Sequence, residues 1–281
     1  MKAKYINPFT DFGFKKIFGE EASKPMLIDF LTSLLPETNI VNLTFKDKEK
    51  LGKSQEDRKA VYDIYCENNN GEKIIVELQK AKQNYFKDRT VYYATFPIQE
   101  QAETGDWKGP TPRYELKSVY CVGVLDFTFD EKTKKDANEV IHIVQLKDQN
   151  NQLFYDKLKF VYLEMPHFLK AEKDLVTRLE KWLYFIKHLE DFQSIPEVFK
   201  DEIFIQAFEK AEIAKYSEEE RNNYEESLKT YRDLKGIIDT AFDEGKVEGK
   251  YETAQLMKDE GEPIEKIIRY TGLTKQEIDK L

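Results

Sequence analysis

Two short apolar runs stand out near the middle of the chain. Val61-Tyr62-Asp63-Ile64-Tyr65-Cys66 and Ile74-Ile75-Val76-Glu77-Leu78-Gln79-Lys80 are rich in β-branched and aromatic residues, and Asn68-Asn69-Asn70-Gly71 separates them. This combination predicts a β-hairpin. Each run carries one acid, Asp63 or Glu77, where an apolar residue is expected. Side chains two apart share a face of a strand, so Glu77 and Gln79 point together. A two-residue Asn70-Gly71 turn would set Asp63 opposite Leu78. An odd-numbered loop centred on Asn70 sets Asp63 across from Glu77 and Val61 across from Gln79. Two carboxylates so placed repel each other and lose solvation unless positive charge lies between them, and a divalent cation is the usual remedy. The alternative is an edge hairpin whose acids face water, but apolar neighbours on both faces of each run favour burial.

Helical periods flank the hairpin. Residues 7–19, Asn-Pro-Phe-Thr-Asp-Phe-Gly-Phe-Lys-Lys-Ile-Phe-Gly, combine a capping residue, aromatics three and four apart and a closing glycine, which predicts a short amphipathic helix. A second helix opens at Ser23-Lys24-Pro25 and stops at Pro36. Phe86, Arg89, Tyr92, Tyr93 and Phe96 recur at helical spacing within residues 84–101. Strands are predicted near 41–45, 118–129, 139–146 and 158–164, with a charged loop over 46–59 and a Gly- and Pro-rich loop over 104–113. From Lys170 onward the pattern is helical. The stretch 211–250 has few large apolar residues, and Gly245 and Gly249 predict a weak point or hinge within it. Around Gly272, residues 264–268 and 274–278 form a helix-turn-helix pattern. Either Lys275 and Gln276 open a helix that enters a DNA groove, or the unit is a helical hairpin packed on the chain or on a partner. The acidic neighbours favour the hairpin.

Composition narrows the picture. With 281 residues, 40% of them hydrophobic, the chain can bury a sizeable core. It has no run of about 18 uncharged apolar residues, so no membrane span is expected. The start of the chain lacks an apolar signal core, so a cytoplasmic location is expected. Cys66 and Cys121 sit within apolar runs and read as buried thiols, and His142, His167 and His188 lack zinc-ligand spacing. The net charge of −9 is unevenly spread. Up to residue 167 there are 25 basic against 26 acidic side chains, and beyond it 19 against 27. The acidity belongs to the C-terminal part, leaving the first part free to face phosphate. No phosphate-binding Gly-rich loop and no Gly-x-Ser-x-Gly elbow is present.

An acid on one strand, Glu77-Leu78-Gln79 on the next and helices on either side resemble the PD-(D/E)XK nuclease superfamily. The opening motif from Asn7 to Phe18, together with Phe86-Lys87-Asp88-Arg89 and Tyr92-Tyr93, resembles its transposase-like Rpn branch, the recombination-promoting nucleases, over about residues 5–210. The resemblance implies an α/β fold with a restriction-endonuclease-like mixed central sheet flanked by helices. It implies a nuclease-like domain over residues 1–210, followed by an acidic helical extension over 211–281. It further implies a DNA endonuclease using Mg²⁺ or Mn²⁺ and serving recombination, mobile elements or defence. Asp63 and Glu77 would be the metal ligands, with Asp11 either a third ligand or a first-turn helix carboxylate. Gln79 stands where the superfamily has lysine, and Glu-x-Gln is common in this branch. A glutamine can orient a water but supplies no charge. Arg89 is the candidate for that charge, or else a fold-organising ion pair to Asp11 or Glu77. DNA is the expected partner, no membrane is involved, and the C-terminal helices offer a route to a homodimer. The rival reading is a non-catalytic nucleic-acid-binding or assembly protein on the same fold, although a binding module gains nothing from a costly carboxylate pair.

Overall fold

The computed structural model describes residues 3–50, 60–103, 115–129 and 139–281. The loop predicted over 104–113 and most of the one over 46–59 lie outside the described residues. The chain divides into two compact units, residues 1–229 and 230–281.

The first unit is a mixed α/β structure. Its strands are β1 (Leu43–Phe45), β2 (Glu49–Lys50), β3 (Ala60–Val61), β4 (Ile64–Asn68), β5 (Lys73–Gln79), β6 (Val119–Leu125), β7 (Ile141–Lys147) and β8 (Leu153–Glu164). Six of them form one sheet in the order β1-β4-β5-β6-β8-β7, and β2 and β3 make a separate small ribbon. β5, β6 and β8 run parallel at the centre, while the outer pairings are antiparallel. Parallel central strands need cover on both faces, which is why β6 reads as an unbroken buried run. Helix α3 (Phe86–Glu103) contributes Phe86 and Ala94 to the face lined by Tyr65, Ile75, Cys121 and Tyr162. On the opposite face, the ammonium of Lys24, the first residue of helix α2 (Lys24–Leu34), lies 5.6 Å from the Phe45 ring. Helices α1 (Asp11–Phe18), α4 (Arg178–His188) and α5 (Glu202–Ala211) join α2 in an aromatic layer around Phe18, Phe30, Trp182 and Phe204.

The hairpin loop is odd. Asn68 N–H donates to Glu72 O at 3.0 Å, Gly71 N–H donates to Asn68 O at 3.0 Å, and Gly71 takes φ +78°. These leave a three-residue loop in which a glycine supplies the left-handed position. Ile64 pairs with Val76 and Cys66 with Ile74, a register that continued one step sets Asp63 across from Glu77. Regular pairing stops there. Val61 pairs with Glu49 of β2, not with Gln79. The reason is Tyr62. Its ring packs 5.3 Å from Tyr65, and its hydroxyl donates to Tyr93 O on α3. Residues 62 and 65 fall on opposite faces of an unbroken strand, so the chain must bend between them, and it bends at Asp63.

The second unit holds the later part of helix α6 (Glu218–Asp259), with α7 (Ile264–Thr271) and α8 (Lys275–Asp279). The hinge expected at Gly245 and Gly249 is absent, because α6 runs through both glycines for 42 residues. Each costs only about 1 kcal/mol against alanine, and the surrounding Lys, Glu and Ala are strong helix formers. Gly272 closes α7 in the left-handed conformation, and a Thr274/Glu277 capping box opens α8. Ile267, Leu273 and Ile278 bury against Ala254 of α6, and Lys258 Nζ donates to Ile278 O. The terminal unit is therefore a helical hairpin packed on α6.

Candidate active site

The bend at Asp63 replaces ladder bonds by side-chain bonds. Leu78 N–H donates to Asp63 Oδ2 at 2.8 Å, and Asp63 N–H donates to Glu77 Oε1 at 3.3 Å. Each carboxylate thus takes a backbone donor that a regular ladder would give to a carbonyl, which ends the pairing and ties the two acids together. Glu77 is buried and Asp63 is partly buried. Burial pushes Glu77 up to about 8, reinforced by the charge of Asp63 and opposed by Arg89. Asp63 is also raised by burial, with the Leu78 N–H and Lys15 pulling the other way.

Cations surround the pair at a distance. Arg89, from the first turns of α3, places Nη2 3.7 Å from Glu77 Oε2. Lys15 of α1 places Nζ 3.7 Å from Asp63 Oδ1. Lys48 lies close enough to feel both Lys15 and Asp63, and its ammonium is destabilised by burial first and then by Lys15. The Gln79 side chain is buried on the same strand face as Glu77 and makes no hydrogen bond among the described residues.

Asp11 is placed differently. Its side chain is half exposed, and Lys80 Nζ lies 2.9 Å from Asp11 Oδ1. Among the described residues no three acidic, histidine or cysteine side chains come together as a metal-holding group. Asp11 therefore sits on the rim while Asp63 and Glu77 form the centre. Carboxylate oxygens such as these, on the buried Glu77 and the partly buried Asp63, are the donor type that a hard divalent cation takes. Burial raises the proton affinity of both acids despite the nearby cations.

Lys15 was not legible as a site residue, although its signal is present: it lies four residues after Asp11, on one face of α1. The opening motif holds that helix in place. Asn7 Oδ1 accepts from Phe9 N–H, Thr10 Oγ1 accepts from Gly13 N–H, and Thr10 Oγ1 donates to Asn7 O. A Cβ on Gly13 would lie 2.2 Å from Asn7 O, so only glycine permits this turn.

Residues 8–241 match the family described as PD-(D/E)XK nuclease family transposase. The chain belongs to that family. No curated protein and no solved structure matches it. For a PD-(D/E)XK nuclease family transposase, the mixed six-stranded sheet with flanking helices is the expected α/β frame, and membership implies a nucleic-acid substrate. Among the described residues, no helix is long and apolar enough to cross a membrane.

Proposed function

We propose that this chain is a metal-dependent DNA endonuclease acting in recombination, mobile elements or defence. The observation that carries the reading is the cross-bonded Asp63/Glu77 pair, Glu77 buried and Asp63 partly so, with Lys15, Lys48 and Arg89 nearby. Asp63 and Glu77 would hold Mg²⁺ or Mn²⁺, with the backbone carbonyl near Leu78 completing the protein's share. When bound, the ion supplies a Lewis acid for the phosphodiester and lowers the pKa of a coordinated water.

The remaining roles belong to this chain's own side chains. Gln79 shares the face of Glu77 and has an amide with no partner among the described residues, so it can accept from or donate to the attacking water. It cannot balance negative charge. Lys15 and Arg89 approach the acid pair from α1 and α3 and stand where a phosphate would meet them. Their charge offsets the increase on the phosphoryl oxygens in the transition state. Asp11 holds Lys80 at the rim and so steadies the first residue after β5.

The decisive experiment is nicking of supercoiled plasmid by the purified chain, with Mg²⁺ or with chelator, beside Asp63→Asn. Cation-dependent nicking by the wild type and none by the variant is the expected result. Equal nicking by both would remove the assignment.

A further inference from the structure

Next to the acid pair lies a cleft of about 680 Å³ that the reading above does not use. Its walls are Tyr85, Tyr92 and Tyr93, its polar edge is Gln83, Asn84 and Asp88, and Arg89 forms part of its lining. The aromatic supply is unusual. Tyr85 is 80% exposed, and its ring contacts no other ring among the described residues. It also adopts φ +66°, a left-handed conformation that a bulky side chain rarely takes. Tyr92 is 39% exposed on the next turn of α3. Strain that projects an aromatic ring into water is the kind of feature that collects at ligand sites.

Arg89 connects the cleft to the carboxylates. Nη1 donates to Gln83 Oε1 at 3.0 Å, the guanidinium lies 4.9 Å from the Tyr93 ring centre, and Nη2 reaches toward Glu77. Asp88, in the first turn of α3, also lines the cleft. Its carboxylate repels phosphate and accepts from the N–H groups of a base edge. The Arg89 guanidinium is the cationic group of the lining and would meet a phosphate, while Tyr85, Tyr92 and Tyr93 offer ring faces to a base.

We infer that this cleft is a stacking site for an unpaired nucleobase, so that the chain engages single-stranded or locally opened DNA beside the phosphate it attacks. The inference rests on the nuclease reading for the phosphate, but the cleft itself needs neither metal nor turnover. Paired bases present no free π-face to Tyr85, whereas a single strand does.

The test uses the full chain in chelator, so that nothing is cleaved. It measures anisotropy of single strands of about 15 nucleotides, the upper range of a single-strand site, either carrying bases, abasic throughout or annealed to a complement. A 2-aminopurine in the base-bearing strand reports stacking by quenching. The base-bearing strand should bind at least about tenfold more tightly than the abasic strand of equal charge, with quenching. Tyr85→Leu and Tyr92→Leu keep apolar bulk but lose the π-face and should each weaken binding by about tenfold, while Tyr85→Phe should not. Equal affinity for abasic and base-bearing strands, or unaltered binding by both leucine variants, would overturn the inference even if plasmid is still nicked. Tyrosine-dependent binding by a chain that never nicks plasmid would keep the cleft and remove the nuclease reading.

Discussion

Replacing Glu77 by glutamine should stabilise this protein at neutral pH in the absence of divalent ions, by an amount that grows with pH. The Glu77 carboxyl is raised from an ordinary 4.5 to about 8. A group whose affinity for protons rises on folding favours the fold fully below its unfolded value. That contribution is lost as pH climbs to the folded one. At about 1.4 kcal/mol per unit, ionising Glu77 in place costs the fold about 4 kcal/mol at pH 8, of which about 3 kcal/mol accrues between pH 5 and pH 8. Glutamine keeps the oxygen that accepts from Asp63 N–H and carries no charge at any of these pH values. In a chain of this size 1 kcal/mol moves Tm by about 2–4 °C, so the variant's advantage should widen by about 6–12 °C over that interval. Thermal melts of both proteins in chelator, at half-unit steps from pH 5 to 8.5, read it directly. Saturating Mg²⁺ should then raise the wild-type Tm, since an ion at a hundredfold over its Kd contributes about 2.7 kcal/mol, and should leave the variant nearly unmoved. A gap that stays constant across pH would refute the argument, because it would mean that Glu77 is not an uncompensated charge.

Two further perturbations separate the roles of α1. Lys15→Met should slow plasmid nicking by about a hundredfold, the usual loss when one charge-stabilising donor is removed, with Lys15→Arg recovering part of it and the Tm unchanged within a degree or two. Gly13→Ala should destabilise the fold by at least about 2 kcal/mol in urea melts, since the new methyl would lie 2.2 Å from Asn7 O and 2.7 Å from Thr10 Oγ1; an unchanged midpoint would show that the turn relaxes freely.

Much of this was legible in the chain because strand chemistry has a period of two. Asp63, Glu77 and Asn70 fix each other by parity alone, and an odd loop centred on Asn70 follows once the acids are required to face each other; the structure makes it three residues long. The failure of Val61 to reach Gln79 was hidden because it depends on Tyr62 finding Tyr93 on α3, a contact that no local pattern announces. Lys15 was hidden for a similar reason, since it comes from a helix 48 residues before Asp63. Tyr92 and Tyr93 showed only helical spacing and a place in the family motif, and Tyr85 gave no signal at all, because the left-handed backbone that exposes it is set by tertiary context. The uninterrupted course of α6 shows the opposite error. Two glycines carried more weight in the pattern than their energetic cost warrants.

The helix that delivers Lys15 is fastened from the far end of its unit. Asn7 N–H donates to the Tyr224 hydroxyl, Phe12 N–H to Ser227 Oγ and Lys16 Nζ to Glu220, all on the first turns of α6. These partners are separated by more than 200 residues, so they meet only after the intervening chain exists. During synthesis the sheet and its acid pair have all their strands long before α6 emerges, whereas α1 lacks these three contacts until then. A chain truncated by premature termination, or still on the ribosome, therefore presents the carboxylates without a fixed Lys15. Tethering α1 to the first turns of α6 makes the placement of Lys15 depend on a segment synthesised more than 200 residues later.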